Sequence, residues 1–193
     1  MIKKSKLGLK YDVVVSGASD MKTCAKGTKE KARQLGRELA KNKCFVISGA
    51  TNGISYEVSC SNREEGGINV GFSPAISKAE HVKSYKLPFD PYDIIIYTGA
   101  DYAGRDVMMT KSGEAVIIVS GRTGTMHEFL TAFELGKTIG VLEGTGGAAD
   151  LIKEFLKKIN KKPKAPIFYS TDPKELVRLV CNELKIRNKE LKK

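Results

Sequence analysis

Short apolar runs alternate with longer amphipathic stretches along almost the whole chain. Between the first two runs, for example, Ala32, Leu35 and Leu39 recur at the spacing of one helical face. This alternation is typical of strand–helix–strand units, which build parallel sheets. The apolar runs predict strands at residues 11–16, 44–48, 68–72, 92–98, 114–120, 138–142 and 167–170.

The amphipathic stretches predict helices at residues 27–42, 54–65, 105–112, 125–136 and 147–159, and a last helix that begins near Pro173. The run 114–120 is the most apolar, as expected of a central strand that is buried on both faces. The pattern therefore predicts an α/β fold, a Rossmann-like open sheet that is mostly parallel, with about seven strands and helices on both faces. We expect one domain over residues 1–193, with basic tails at residues 1–10 and 188–193.

One long segment breaks this rhythm. Residues 73–91 show neither strand nor helix periodicity, and Pro74, Pro88 and Pro91 interrupt them. A connection of this length inside a compact domain is usually functional. We expect a loop that either covers a binding site or contacts a partner subunit.

The net charge of +11 is carried by the ends of the chain. Residues 1–10 hold four lysines and no acidic residue, and residues 151–193 hold 13 Lys/Arg against 5 Asp/Glu. The stretch 11–150, where the candidate motifs lie, has a net charge of −1. Because a nucleic-acid channel needs basic residues along the binding face itself, we do not expect nucleic acid as a partner.

Membrane and metal sites are also not expected. No apolar run reaches the ~18 residues of a membrane span, and the basic start is not followed by the apolar core of a signal peptide. The four cysteines, Cys24, Cys44, Cys60 and Cys181, form no C-x-x-C pair and have no histidine at zinc-ligand spacing. We therefore expect a cytoplasmic protein with four free structural thiols.

Three predicted strands end in glycine-bearing turns. The first turn contains Gly17 and Ser19, the second runs from Gly49 to Gly53, and the third follows Ser120. The carboxyl ends of parallel strands lie along one edge of a sheet, where ligands bind. Glycine lets the backbone approach a phosphate, and the following helix directs free N–H groups at it. Each turn alone also fits an ordinary strand–helix connection. Together they indicate phosphate binding, with the third turn contributing Gly121, Arg122, Thr123, Gly124 and Thr125.

Two charged residues near these turns are candidates for chemistry. Arg105 is predicted to begin a helix, where its charge opposes the helix dipole, so a functional reason for its position is expected. A forked guanidinium binds phosphate or carboxylate well. Glu128 is predicted just inside a helix, where it either forms a capping box with Thr125 or acts in catalysis.

Taken together, these residues resemble the Lonely Guy family of cytokinin-riboside 5′-monophosphate phosphoribohydrolases, which are often labelled lysine decarboxylases. The family pattern is an arginine at a helix start, a small-acidic-Ala step into an apolar strand, and then P-G-G-x-G-T-x-x-E. The resemblance covers about residues 11–143, and its spacing matches without a gap. The matching residues are Arg105, Met108, Met109, Glu114, Ala115, Gly121, Gly124, Thr125 and Glu128, with Gly17, Ser19, Gly49 and Gly53 in the earlier turns.

The resemblance implies a Rossmann-like nucleotide-binding fold of the wider family that also contains molybdenum-cofactor carrier proteins and DNA-processing protein A. It implies that Arg105 and Glu128 are the catalytic pair and that the glycine–threonine turn holds a 5′-phosphate. The expected ligand is an AMP-like nucleotide, cleaved to free base and ribose 5-phosphate without a metal or organic cofactor. Relatives are commonly dimers or tetramers, so a homo-oligomer is expected.

This chain departs from the family pattern at several positions. Ser120 stands at the family's proline, Arg122 at its second glycine, and Asp106 at the basic residue after the arginine. Arg122 either blocks the approach of the backbone to phosphate or adds a charged contact to a first or second phosphate. His127 lies beside Glu128 but points about 100° away from it on a helix. A carrier that holds a nucleotide or phosphorylated cofactor uncleaved is therefore the alternative, and a handler of single-stranded nucleic acid is a third.

Overall fold

The seven predicted strands form one parallel sheet in a computed structural model, which describes Gly8 and residues 10–190. The strands are β1 (Tyr11–Gly17), β2 (Cys44–Ser48), β3 (Ile68–Ser73), β4 (Ile94–Tyr97), β5 (Ala115–Val119), β6 (Thr138–Leu142) and β7 (Ile167–Ser170). The helices are α1 (Thr28–Lys41), α2 (Ile54–Glu64), α3 (Lys78–Lys83), α4 (Asp101–Ser112), α5 (Thr123–Glu134), α6 (Gly147–Ile159) and α7 (Pro173–Glu190). The predicted α/β class is confirmed, and the sheet is parallel throughout.

The order of the strands is β4-β3-β2-β1-β5-β6-β7. The chain therefore builds outward from β1 in one direction through β4, and then returns to the other side of β1 with β5. Val13 of β1 is paired with Val46 of β2 on one side and with Ala115 of β5 on the other. A crevice opens at the carboxyl edge of a sheet wherever the order reverses in this way, here between β1 and β5.

Alternate residues of the central strands face two separate cores. Val13 and Val15 of β1 pack with Leu35 of α1 and Val180 of α7 on one face. Val14, between them, packs with side chains of α4, α5 and α6 on the other. This alternation is the two-residue period of a strand. All five residues of β5 are buried, as the apolar run predicted for a central strand.

The segment 73–91 is more ordered than predicted. It contains the short helix α3, which Ser77 caps by accepting a hydrogen bond from the Glu80 amide (3.2 Å). His81 of α3 is buried, with its Nδ1 2.8 Å from Ser73 Oγ and its Nε2 2.8 Å from the Pro88 carbonyl. A six-residue helix is too short to show an apolar period, so the sequence pattern predicted only a loop here and missed α3.

Several predicted element boundaries need correction. Helix α4 begins at Asp101, so Arg105 is not at its N-terminus as predicted, and α5 begins at Thr123. The small residues before Arg105 belong to the first turn of α4. Helix α7 continues to Glu190, where Asn188 Nδ2 donates to Glu114 Oε1 (2.7 Å). Residues 188–190 of the predicted C-terminal tail are therefore helical; residues 1–7, 9 and 191–193 of the two tails lie outside the described residues.

The four cysteines are free thiols, as predicted. Cys44 and Cys181 are buried in the same core, with their sulfur atoms 3.6 Å apart, whereas Cys24 and Cys60 are half-buried. Across Gly8 and residues 10–190, no helix combines the length and apolar character required to cross a bilayer.

Candidate functional site

A cleft of about 470 Å³ opens where the strand order reverses, at the carboxyl edge of β1 and β5. The turns after β1, β2 and β5 form its walls and floor, and α4 closes one side. Of the residues predicted from sequence, nine line it: Gly17, Ser19, Gly49, Arg105, Arg122, Thr123, Gly124, Thr125 and Glu128.

The other two predicted glycines, Gly53 and Gly121, do not line the cleft and shape its turns instead. A Cβ on Gly53 would lie 2.2 Å from the carbonyl oxygen of Ala18, and one on Gly121 would lie 2.1 Å from Thr125 Oγ1. Both also have positive φ, at 73° and 93°. They let the turns pack against their neighbours at distances that a side chain does not permit.

The turn after β5 is held from behind by the start of α6. The amide of Ser120 donates to Thr145 Oγ1 (2.8 Å), and the amides of Ala148 and Ala149 donate to the carbonyls of Gly121 (2.8 Å) and Ser120 (3.2 Å). These bonds direct the turn's carbonyls away from the cleft. The amides at the N-terminus of α6 therefore bind this turn rather than a ligand.

The N-terminus of α5, in contrast, faces the cleft. Its N-cap is Arg122, whose side chain makes no capping hydrogen bond. The first amide groups of a helix have no partner within the helix, and they carry a partial positive charge. Thr123 and Gly124 are exposed to the cleft at this point, with the exposed side chain of Arg122 beside them. The free amides of α5 and the Arg122 side chain together form a site that suits an anion.

Arg105 lies buried in the second turn of α4, with its guanidinium against the backbone of Gly49. A Cβ on Gly49 would lie only 1.9 Å from Arg105 Nη1, so a side chain there would displace the guanidinium. Nη1 lies 4.0 Å from Glu128 Oε1 and donates to Met109 Sδ (3.6 Å). Among the described residues, Nε has no hydrogen-bond partner. A buried donor without a partner is costly, and an acidic atom close to this one is Asp106 Oδ1, 3.6 Å away.

Glu128 is buried at the floor of the cleft and accepts a hydrogen bond from Ser16 Oγ at the end of β1. The predicted capping box with Thr125 is wrong, because α5 starts two residues earlier and Glu128 is its sixth residue. Burial, and after it the nearby Asp106 carboxylate, raise the pKa of Glu128 to about 8, although Arg105 and Ser16 oppose the shift. Glu128 is therefore expected to hold a proton at neutral pH.

Asp106 completes a charged cluster with these two residues. Its Oδ1 lies 3.6 Å from Arg105 Nε, and its Oδ2 lies 3.4 Å from His127 Nδ1. His127 thus contacts the second carboxylate of the cleft. Asp106 stands where the Lonely Guy pattern has a basic residue. It therefore forms a carboxyl pair with Glu128 beside Arg105.

The profile of the SLOG cluster4 family matches residues 10–177 of the chain, from β1 into α7. The chain belongs to the SLOG cluster4 family. This match confirms the relationship of Lonely Guy (SLOG) type that the glycine turns and the Arg105–Glu128 spacing indicated. Among curated proteins, none matches the chain.

Solved structures similar to this SLOG cluster4 protein share its fold. TM1055 is 29% identical, with a TM-score of 0.77 over 89% of this chain and 98% of TM1055. The molybdenum cofactor carrier protein of Chlamydomonas reinhardtii is 21% identical, with a TM-score of 0.72 over 92% and 99%. DNA processing protein A of Helicobacter pylori, described with a single-stranded DNA binding mode, is 18% identical, with a TM-score of 0.59 over 96% and 85%.

The cleft of this SLOG cluster4 protein also contains residues that the sequence analysis did not single out. Thr51, Asn52 and Ser55 line it from the turn after β2 and the start of α2. The position of Thr51 and Asn52 between Gly49 and Gly53 was a usable signal, since hydroxyl and amide groups beside such glycines are typical phosphate ligands. Tyr85 and Leu87 reach it from the segment 73–91, and Tyr102 reaches it from α4. The path of that segment depends on the buried His81, which no periodicity revealed.

The raised pKa of Glu128 predicts a stability difference that depends on pH. The unfolded chain releases this proton near the ordinary pKa of 4.5, whereas the folded protein keeps it up to a pKa of about 8. Between these values the unfolded state binds fewer protons, so stability falls as pH rises. Relative to Glu128→Gln, the wild type should lose more than ~1 kcal/mol between pH 5 and pH 8, since one pKa unit corresponds to ~1.4 kcal/mol.

Urea unfolding at several pH values measures this difference. The matched control is Glu154→Gln, which changes an exposed glutamate on α6 and should leave the pH dependence of the wild type unchanged. Parallel stability curves for wild type and Glu128→Gln would contradict a buried, protonated Glu128.

Proposed function

We propose that the protein binds a nucleoside 5′-monophosphate in this cleft and hydrolyses its N-glycosidic bond, which releases the free base and ribose 5-phosphate. The observation that carries the proposal is the meeting of Arg105 and Glu128, 4.0 Å apart and both buried, beside the open N-terminus of α5. Two charged residues are rarely buried without a functional or pairing reason. Here the geometry leaves each of them with atoms directed into a cleft.

The phosphate of the nucleotide is assigned to the turn before α5. The free amides of Thr123, Gly124 and Thr125 would donate to it, with the Thr125 hydroxyl and the Arg122 guanidinium beside them. Gly17 and Ser19 after β1, and Gly49 after β2, supply the facing wall. A ribose held by its 5′-phosphate at this place lies over the floor of the cleft, where Glu128 and Asp106 are.

The two carboxyl groups divide the chemistry between them. Hydrolysis of an N-glycosidic bond passes through a state in which positive charge develops on C1′ and the ring oxygen. A protonated carboxyl can give its proton to the departing base nitrogen, and an ionised one can stabilise the cation and take a proton from the attacking water. Because burial and the nearby Asp106 carboxylate raise the pKa of Glu128 to about 8, the pair can hold a proton at neutral pH and fill both roles. Over the whole reaction, one proton passes from the pair to the departing base and one passes from the attacking water to the pair.

Arg105 positions this pair. With Asp106 at 3.6 Å and Glu128 at 4.0 Å, its single positive charge balances one carboxylate and not two. Its guanidinium can orient the carboxylate that becomes ionised.

Binding without cleavage is the second candidate function. It is favoured by Arg122, whose exposed side chain stands where the Lonely Guy pattern has glycine and adds a cation at the phosphate end of the cleft. Such a cation suits a ligand with more than one phosphate, as a carried cofactor can have. The molybdenum cofactor carrier protein of Chlamydomonas reinhardtii shows that the same fold serves a carrier.

Base release from AMP tests the proposal. Wild-type protein should liberate adenine, measured by liquid chromatography, and Glu128→Gln should lower the rate by about 10²–10⁴-fold, the usual contribution of a positioned acid or base. AMP should still raise the melting temperature of Glu128→Gln, because the phosphate contacts remain. Glu154→Gln, on the surface of α6, should release adenine at the wild-type rate.

The other outcomes separate the alternatives. Thermal stabilisation of the wild type by AMP without adenine release supports the carrier. If no phosphorylated nucleotide shifts the melting temperature, the phosphate site itself is wrong. Tight binding of single-stranded DNA that persists without residues 1–10 and 188–193 would favour nucleic acid as the ligand.

We also propose that the protein is a homo-oligomer. On the edge strand β4, Ile94 is 58% exposed and Ile96 41% exposed, and residues two apart point to the same side of a strand. An exposed apolar edge strand invites pairing with another chain. Light scattering should give a mass that is a multiple of 21.1 kDa, and Ile94→Glu with Ile96→Glu should reduce it to 21.1 kDa. A wild-type mass of 21.1 kDa would contradict the proposal.

A further inference from the structure

One wall of the cleft is aromatic and apolar, unlike the turns opposite. It consists of Tyr85 and Leu87, from the segment between α3 and β4, and of Tyr102, from the first turn of α4. Neither phosphate binding nor the acid–base chemistry proposed above uses any of these three side chains. Two tyrosine rings beside a polar, charged cleft therefore call for an explanation.

The two rings are held in a defined geometry. They meet edge to face, with centroids 5.6 Å apart and planes at 78°. Tyr85 Oη donates to Asp101 Oδ1 (2.8 Å), which ties the segment to the start of α4. An edge-to-face pair covers at most one face of one ring, so ring surface stays free for stacking. Tyr102 is 47% exposed.

The wall is positioned by the buried histidine of α3. The amide of Leu87 donates to the carbonyl of His81 (3.0 Å), and the imidazole of His81 binds Ser73 and Pro88 at either end of the segment. Leu87 is itself buried. These hydrogen bonds fix the backbone of the wall, as expected of a binding surface.

Arg105 connects this wall to the rest of the cleft. Its Cζ lies 5.7 Å from the centroid of the Tyr102 ring, and its Nη1 lies 4.0 Å from Glu128 on the other side. A ligand that runs from the N-terminus of α5 past Glu128 and Arg105 therefore ends against Tyr102. In a nucleoside monophosphate the order of groups along that path is phosphate, ribose, base.

We propose that Tyr102, Tyr85 and Leu87 form a subsite that takes a planar heteroaromatic ring, the base of the bound nucleotide. This subsite adds a site for the base to the proposed function. The direction of the ligand across the cleft rests on that function. Stacking on a tyrosine face is sequence-tolerant, since every base has a π-face. The wall therefore selects for a planar ring, and edge contacts from other residues select among bases.

Binding of three probes tests the subsite: AMP carries both ends of the ligand, ribose 5-phosphate only the phosphate end, and adenosine only the base end. Dissociation constants are measured by calorimetry in the Glu128→Gln background, where AMP is not consumed. Tyr102→Ala should weaken AMP and adenosine about 10-fold or more, in the range found when a stacked aromatic is removed, and leave ribose 5-phosphate within about 2-fold. Tyr102→Phe should restore the affinity, because it keeps the ring.

Met108→Ala is the matched control. Met108 lies on the same helix, is exposed to a similar degree (46%) and does not line the cleft, so its truncation should leave all three affinities unchanged. An equal loss for AMP and ribose 5-phosphate in Tyr102→Ala would overturn the base subsite, because it would show general damage to the phosphate end. Unchanged AMP binding would overturn it as well.

Binding of the separate probes also distinguishes the base subsite from the proposed phosphate site. Adenosine binding that depends on Tyr102, with no binding of ribose 5-phosphate to the parent, supports the base subsite and contradicts the phosphate site. Ribose 5-phosphate binding without any effect of Tyr102→Ala on AMP or adenosine supports the phosphate site and overturns the base subsite. Absence of binding for all three probes overturns both.

Discussion

The cleft is arranged around one buried guanidinium that lies against a glycine. Arg105 occupies the space that a side chain on Gly49 would fill, and it faces the carboxyl groups of Asp106 and Glu128 from there. One buried cation cannot balance two buried anions, since an uncompensated buried charge is costly. The protein meets this constraint by raising the pKa of Glu128, so that a proton is retained in the cleft. The raised pKa of Glu128 thus accounts both for charge balance in the cleft and for the acid–base chemistry of the proposed reaction.

The fold places chemically different surfaces on either side of this cluster. The reversal of strand order between β1 and β5 brings the turns after β1, β2 and β5 to one edge, and α5 directs its free amides at the cleft. The start of α6 holds the turn after β5 in place from behind. On the far side of Arg105, the tyrosine wall comes from α4 and from the segment tied down by His81. A phosphate end, a carboxyl pair and an aromatic end therefore follow one another across the cleft.

Much of this arrangement could be predicted from the sequence, because the apolar runs and glycine turns are local features. They indicated the number of strands, the helices on both faces and the turns at one edge. Helix starts were less predictable: the placement of Arg105 at a helix N-terminus and of Glu128 in a capping box failed because α4 and α5 begin earlier than their apolar periods suggest. The contact of Asp106 with His127, and the aromatic wall, depend on tertiary packing between distant segments. No spacing along the chain reports such contacts.

In the proposed complex, a nucleotide lies across this cleft with its phosphate at the start of α5 and its glycosidic bond over the carboxyl pair. A crystal structure of Glu128→Gln soaked with AMP would show this arrangement directly. The phosphate should lie within hydrogen-bonding distance of the Thr123, Gly124 and Thr125 amides, and C1′ should lie next to residue 128 and Asp106. A phosphate bound elsewhere, or a nucleotide in the reverse direction with its base at the start of α5, would contradict the proposal.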